Sequence, residues 1–277
     1  MKFFIVIFIV FLLSCAGNNE NQVISYDDYK IAFLQHDVFI AMSVEDFFRF
    51  DIHFFSNMPD VDAEIFYVKL LYNGNEVFHI SNPEISVFAQ SEEIELTGYE
   101  IIVSHRNFEL PPDGLYIFNQ IAFFIGETEY MSDIGKFQIE VERTEIVDNI
   151  FINESTSFTL PPIDIRPELS LSFTPNIGDI RFLGLDFGYL TERIFVYPSG
   201  DMLVQEGAMQ RLRISYDIDN HPSANLILNP WIIFEYNGEI MRVATRNMVS
   251  LISFTTEDVI ADIVENSLII TRSINGK

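Results

Sequence analysis

The chain has one cysteine, Cys15, and one tryptophan, Trp231, in 277 residues. A lone cysteine excludes an internal disulfide and any cysteine-based zinc cluster. Basic residues are scarce too: 16 Lys and Arg stand against 41 Asp and Glu, a net charge of −25. So negative a chain repels phosphate backbones, which excludes nucleic acid as a partner. The apolar run from Phe3 to Leu13 covers 11 residues, against the roughly 20 that a bilayer span requires. No G-x-G-x-x-G or Walker loop is present, nor a G-x-S-x-G elbow. Nucleotide-binding α/β folds and serine hydrolases therefore lose their sequence support.

What is abundant is phenylalanine, at 27 positions, within a chain that is 48% hydrophobic. That content excludes a disordered acidic tail and supplies a large apolar core without disulfides. Phe48, Phe50, Ile52 and Phe54 alternate with polar residues and share one face of a strand. Ile65–Tyr72, Asn73-Gly74 and Asn75–Ile80 read as a hairpin with a two-residue turn, and Trp231–Tyr236, Asn237-Gly238 and Glu239–Ala244 repeat that device. Further strands are expected at 31–41, 85–90, 99–104, 115–125, 136–143, 156–160, 168–174, 180–187, 193–197, 210–217 and 267–273. Short strands separated by Pro- and Gly-containing turns predict an all-β chain of two antiparallel β-sandwiches in tandem. One short helix is expected near 256–266, capped by Thr255 or Thr256.

The N-terminus carries an address. Met1-Lys2 and the apolar run fit a secretory signal peptide. Leu12-Leu13-Ser14-Cys15 resembles the lipobox of bacterial lipoproteins. The resemblance implies cleavage after Ser14, acyl chains on Cys15, and a membrane anchor that several chains together make stable. Ala16 to Gln22 are small or polar and read as a tether. Ala16 in place of an aspartate favours the outer membrane or cell surface of the bacterial envelope.

Pro112-Asp113-Gly114-Leu115-Tyr116-Ile117 resembles the corner that opens the penultimate strand of many immunoglobulin-like domains, where the tyrosine hydroxyl bonds back to the corner backbone. The expected organisation is a signal peptide over 1–14, a lipidated cysteine and tether over 15–25, an immunoglobulin-like sandwich over 26–145 and a second sandwich over 146–277. Charge shifts at that boundary, with 23 acids against 6 bases over 26–145 and 17 against 9 beyond it.

Chemistry-bearing constellations are few. Histidines 36, 53, 79, 105 and 221 show no zinc-type spacing; His53 falls on the polar side of its strand and is expected to be solvated. Asp60, Asp62 and Glu64 alternate ahead of a strand, and Asp217 and Asp219 end one; oxygen-rich clusters of this kind are candidates for calcium. Tyr189, Tyr197, Trp231 and Tyr236 are candidates for stacking on sugar rings. The chain thus reads as a lipid-anchored envelope protein, a non-enzymatic binding or structural module with an envelope protein or a glycan as partner. A carbohydrate-binding lipoprotein is the alternative. A hydrolase using two carboxylates also stays open, because strand-borne acids meet only in three dimensions. No cofactor is expected beyond the lipid on Cys15 and the calcium candidates.

Overall fold

The computed structural model describes residues 25–42, 49–91, 96–104, 106, 109, 111–126, 128–142, 151–159, 168–216, 225–245, 249–251 and 268–274. Cys15, the 143–150 boundary, Asp217, Asp219, His105, His221 and the helix expected near 256–266 lie outside the described residues. Two compact units are distinguished, Lys30–Leu268 and a smaller one of Met1–Tyr29 with Ile269–Lys277.

The described chain is nearly all β, in four sheets. The first has the order β20 (Leu268–Ile274), β1 (Ser25–Phe33), β3 (Arg49–Ser56), β7 (Leu96–Ser104), β6 (Glu84–Ser91). The second has seven strands: β19 (Val249–Leu251), β16 (Asn225–Asn229), β2 (His36–Met42), β9 (Thr128–Val141), β8 (Gly114–Ile125), β4 (Ile65–Tyr72) and β5 (Asn75–Ser81). The third is β10 (Phe151–Thr159), β11 (Glu168–Pro175), β15 (Gln210–Tyr216), β13 (Ile194–Tyr197). The fourth is β14 (Met202–Val204), β12 (Ile180–Asp186), β17 (Trp231–Tyr236), β18 (Glu239–Ala244). A single helical turn, α1 (Val61–Glu64), precedes β4.

Both Asn-Gly turns form as expected. Asn73 and Gly74 have φ of 50° and 76°, Asn237 and Gly238 of 52° and 83°. Two consecutive positive φ values match the right-handed twist of the strands they join. The corner also forms: Tyr116 Oη donates to the Pro112 carbonyl at 2.7 Å.

The strand expected over 31–41 is instead two strands in two sheets. β1 ends at Phe33, Leu34-Gln35 crosses over, and β2 begins at His36. Phe33 of β1 meets Phe54 of β3 at 5.2 Å and Phe123 of β8 at 5.3 Å. Phe50 of β3 lies 6.1 Å from Phe118 of β8 and 6.0 Å from Phe137 of β9. The alternating phenylalanines therefore fill a core between the first and second sheets, as period-two patterning requires.

The second sheet is not purely antiparallel: β2 runs parallel to both β9 and β16. Val38, Ile40 and Met42 stand beside Phe137, Ile139 and Val141 on the face of this first core. Phe39 and Ala41 point the other way and join Leu226 and Leu228 in a second core with Leu171, Phe173, Phe182, Leu212, Trp231 and Phe234. A strand covered on both faces reads as continuous apolar sequence, as parallel strands do. Strands from both sides of residue 145 thus share one sheet.

Candidate functional site

The sequence-named aromatic residues separate sharply. Trp231 is fully buried, and its Nε1 donates to Glu140 Oε2 at 3.2 Å. The Tyr236 hydroxyl donates to the Ile177 carbonyl at 2.7 Å. Tyr189, in the 3₁₀ turn Gly188–Arg193, accepts from the Val38 amide at 3.0 Å and donates to the Lys136 carbonyl at 2.7 Å. Trp231 is thus core rather than a stacking surface, because its indole fills the second core. Only Tyr197 of the four is open to solvent, at 56%.

The acidic clusters do not converge among the described residues. Asp60 has a left-handed φ of 54° and precedes α1, whose buried Val61 pins the turn. Helical rotation of about 100° per residue sends Asp62 and Glu64 in different directions. No group of three or more His, Cys, Asp or Glu side chains placed to hold a metal ion forms among the described residues. Burial raises the Tyr99 phenol above its ordinary range, Thr97's hydrogen bond opposes this, and Asp62 and Asp60 add to it.

His53 is buried at 2% exposure, not solvated. The reason is a bulge in edge strand β6 between Val87 and Ala89. It turns the Phe88 ring over the outer side of β3, where it meets His53 at 5.1 Å and Phe55 at 5.8 Å. Gly98 leaves room for that ring; a Cβ there would lie 2.7 Å from Phe88 Cζ. Phe54-Phe55, apolar on both parities, was the sequence signal that this second face is covered.

Glu140 near the end of β9 and Glu142 just beyond it form a pair of carboxylates of the kind a hydrolase would use. Both bind Arg242, with Nη2 2.9 Å from Glu140 and a close contact to Glu142. The guanidinium lies 4.7 Å from the Trp231 ring centroid. The cluster ties β9 to β17 and β18 as an ion-pair lattice.

The solvent side of the third sheet has a different character. Leu171, Leu212 and Ile214 point into the second core. The intervening residues therefore face outward. Arg211 and Arg213 are both exposed on β15, and Phe195 and Tyr197 on edge strand β13. Tyr197 lies opposite Arg213, and Phe195 opposite Ser215. Across β15, Ser170 lies opposite Arg213 and Ser172 opposite Arg211. Arg211 Nη2 donates to Ser170 Oγ at 3.4 Å. Arg213 has no ion-pair partner among the described residues. The face carries two aromatics at the edge, two guanidinium forks beside them and the half-buried Ser170 hydroxyl behind, while Ser172 is buried. Sequence reading missed the arginines; the signal was the alternation Arg211-Leu212-Arg213-Ile214 in a chain so poor in bases.

No family model matches this chain, and no curated protein matches it. A solved structure, described as a protein of unknown function from Porphyromonas gingivalis W83, aligns over 78% of this chain and 97% of its own, at 11% identity and a TM-score of 0.23.

Proposed function

We propose that this chain is a lipid-anchored, non-enzymatic binding module of the bacterial cell envelope, held at the outer membrane or cell surface through Cys15. The observation that carries the binding role is the exposed aromatic and arginine face of the third sheet. Tyr197 and Phe195 keep their rings open to solvent at alternate, same-face positions of β13, beside the two arginines of β15. The lipobox-like Leu12-Leu13-Ser14-Cys15 supports the anchor. The finer architecture belongs to the same reading: an immunoglobulin-like sandwich over 26–145, supported by the Tyr116–Pro112 corner bond, and a second sandwich over 146–277 that lends β16 and β19 to a sheet of the first. Arg242 bridges Glu140 and Glu142, so both carboxylates are engaged in an ion-pair cluster, which supports binding over hydrolysis.

Two measurements test it. Cys15→Ser should abolish incorporation of a labelled fatty acid and release the chain from membranes; retained acylation sinks the anchor. A photo-crosslinking amino acid in place of Tyr197, on intact cells, should trap an envelope component. A face that traps nothing ends the binding role.

A further inference from the structure

We infer that the outer face of the third sheet binds a carboxylate-bearing glycan, with Tyr197 and Phe195 stacking on sugar rings and Arg211 and Arg213 holding uronate carboxylates. This rests on the binding-module reading and names its ligand class.

Charge distribution points to an anion. The whole chain is at −25, yet this face presents two exposed arginines one residue apart on β15. Screening over about 8–10 Å at physiological salt confines the repulsion of distant acids, so the local pair sets the potential there. Among the other exposed arginines, Arg49 is held by Asp51 and Glu100, and Arg181 by Asp201 and Glu235; Arg106, single and in a turn, has no ion-pair partner among the described residues. Arg213 has no such partner among the described residues, and Arg211 reaches only a serine hydroxyl. A planar guanidinium fork matches a carboxylate bidentately and rewards one that approaches it.

The form of the face points to a sugar rather than a protein. Stable protein interfaces have an apolar centre with charge at the rim. Here guanidinium and hydroxyl groups occupy the centre, Arg213 between Tyr197 and Ser170 in a single cross-strand row. The two aromatics lie along one side, at alternate positions of β13 and therefore about 7 Å apart along the strand. Ring faces on one flank and hydroxyl-matched donors on the other suit a polyhydroxylated ligand carrying acid groups. Successive residues of a polymer would run along β13 and β15, past the Phe195–Ser215 pair, then the Tyr197–Arg213 pair, then Arg211.

The test is titration of the full chain in nonionic detergent with a short oligomer of galacturonic acid. Its methyl ester, a glucose oligomer and inorganic phosphate serve as comparators. The free acid should bind; the ester and the glucose oligomer should bind about tenfold more weakly or not at all, as expected when the charge-assisted bonds are lost. Arg213→Gln and Tyr197→Ala should each weaken the acid by about tenfold with unchanged thermal melting, since both side chains are exposed. Arg213→Lys should recover only part of the loss. Absent binding, equal binding of acid and ester, or displacement by inorganic phosphate at equal concentration would overturn the glycan assignment. A protein trapped at position 197 alongside silent titrations would leave the binding module standing and remove only the sugar.

Discussion

His36 accepts the backbone N–H of His53 through Nε2 at 3.4 Å, and the two rings lie 5.3 Å apart in the interior. The bond marks where β1 leaves the first sheet. Leu34 still donates to the His53 carbonyl at 2.9 Å, and the imidazole of His36 then takes the amide that β1 no longer reaches. Accepting at Nε2 places the proton of a neutral His36 on Nδ1. Neither Nδ1 finds a hydrogen-bond partner among the described residues. Burial, then His53, drives the His36 imidazole well below its ordinary range. Burial likewise lowers His53 to about 4, with Glu100 opposing and Arg49 assisting.

A pH dependence follows. Both folded-state values lie below the unfolded value of about 6.5, so the unfolded chain takes up more protons as pH falls. The stability these groups hold is complete above pH about 7.5 and is lost from about 6.5 down towards 4. His53 alone should account for about 2–3 kcal/mol by pH 4.5. Denaturant unfolding at several pH values should show that fall. The His36→Gln, His53→Gln double variant should flatten it relative to the unaltered chain. Equal slopes in both proteins would contradict the account.

Gly135→Ala should destabilise strongly. Gly135 has φ of 89°, where an L side chain is strained. A Cβ there would overlap the His36 backbone oxygen and nitrogen. The parallel β2–β9 register begins at that pair, so backbone must move to admit a methyl group. About 3 kcal/mol or more is expected from strain and lost pairing. Gly207→Ala is the control: that glycine also has positive φ, at 73°, but nothing lies within 4 Å of its Cβ position. Comparable losses in the two variants would refute the steric account.

Tyr189→Phe should cost about 1–3 kcal/mol, because it leaves the Val38 amide and the Lys136 carbonyl without the hydroxyl between them. The ring also lies 3.9 Å beneath the Lys136 ammonium. Phenylalanine keeps that contact, so the variant isolates the hydroxyl. The readout is the denaturant midpoint at unchanged slope. A midpoint within error of the parent would remove the bridge from the list of stabilising contacts.

Local chemistry was readable in the sequence wherever few residues decide the outcome. Asn73-Gly74 and Asn237-Gly238 specify their turns by positive φ alone. Phe50, Ile52 and Phe54 declare a core face by alternation. The Asp113-Gly114-x-Tyr116 corner carried its own hydrogen bond. What stayed hidden depends on residues far apart in the chain. His53 is buried by Phe88, brought over it by a bulge whose register only the partner strand sets. The crossing at Leu34-Gln35 shows in the sequence only as the short polar run Gln35-His36-Asp37, which does not declare a change of sheet. Trp231 gave no sign of its burial, since an aromatic residue next to a turn suits a binding surface and a core equally. The outer face of the third sheet was obscured because Phe195 and Tyr197 alternate with Val196, so apolar residues occupy both parities of β13.

The parallel seating of β2 bears on the order in which the protein is assembled. Asn229 of β16 donates to the Ala41 carbonyl of β2 at 2.8 Å across 188 residues of chain. A contact of that separation closes late and slowly. Until β16 arrives, β2 presents an unpaired edge and the apolar face of Phe39 and Ala41, the surface on which a nascent chain aggregates. Synthesis from the N-terminus therefore makes β2 early and β16 188 residues of chain later.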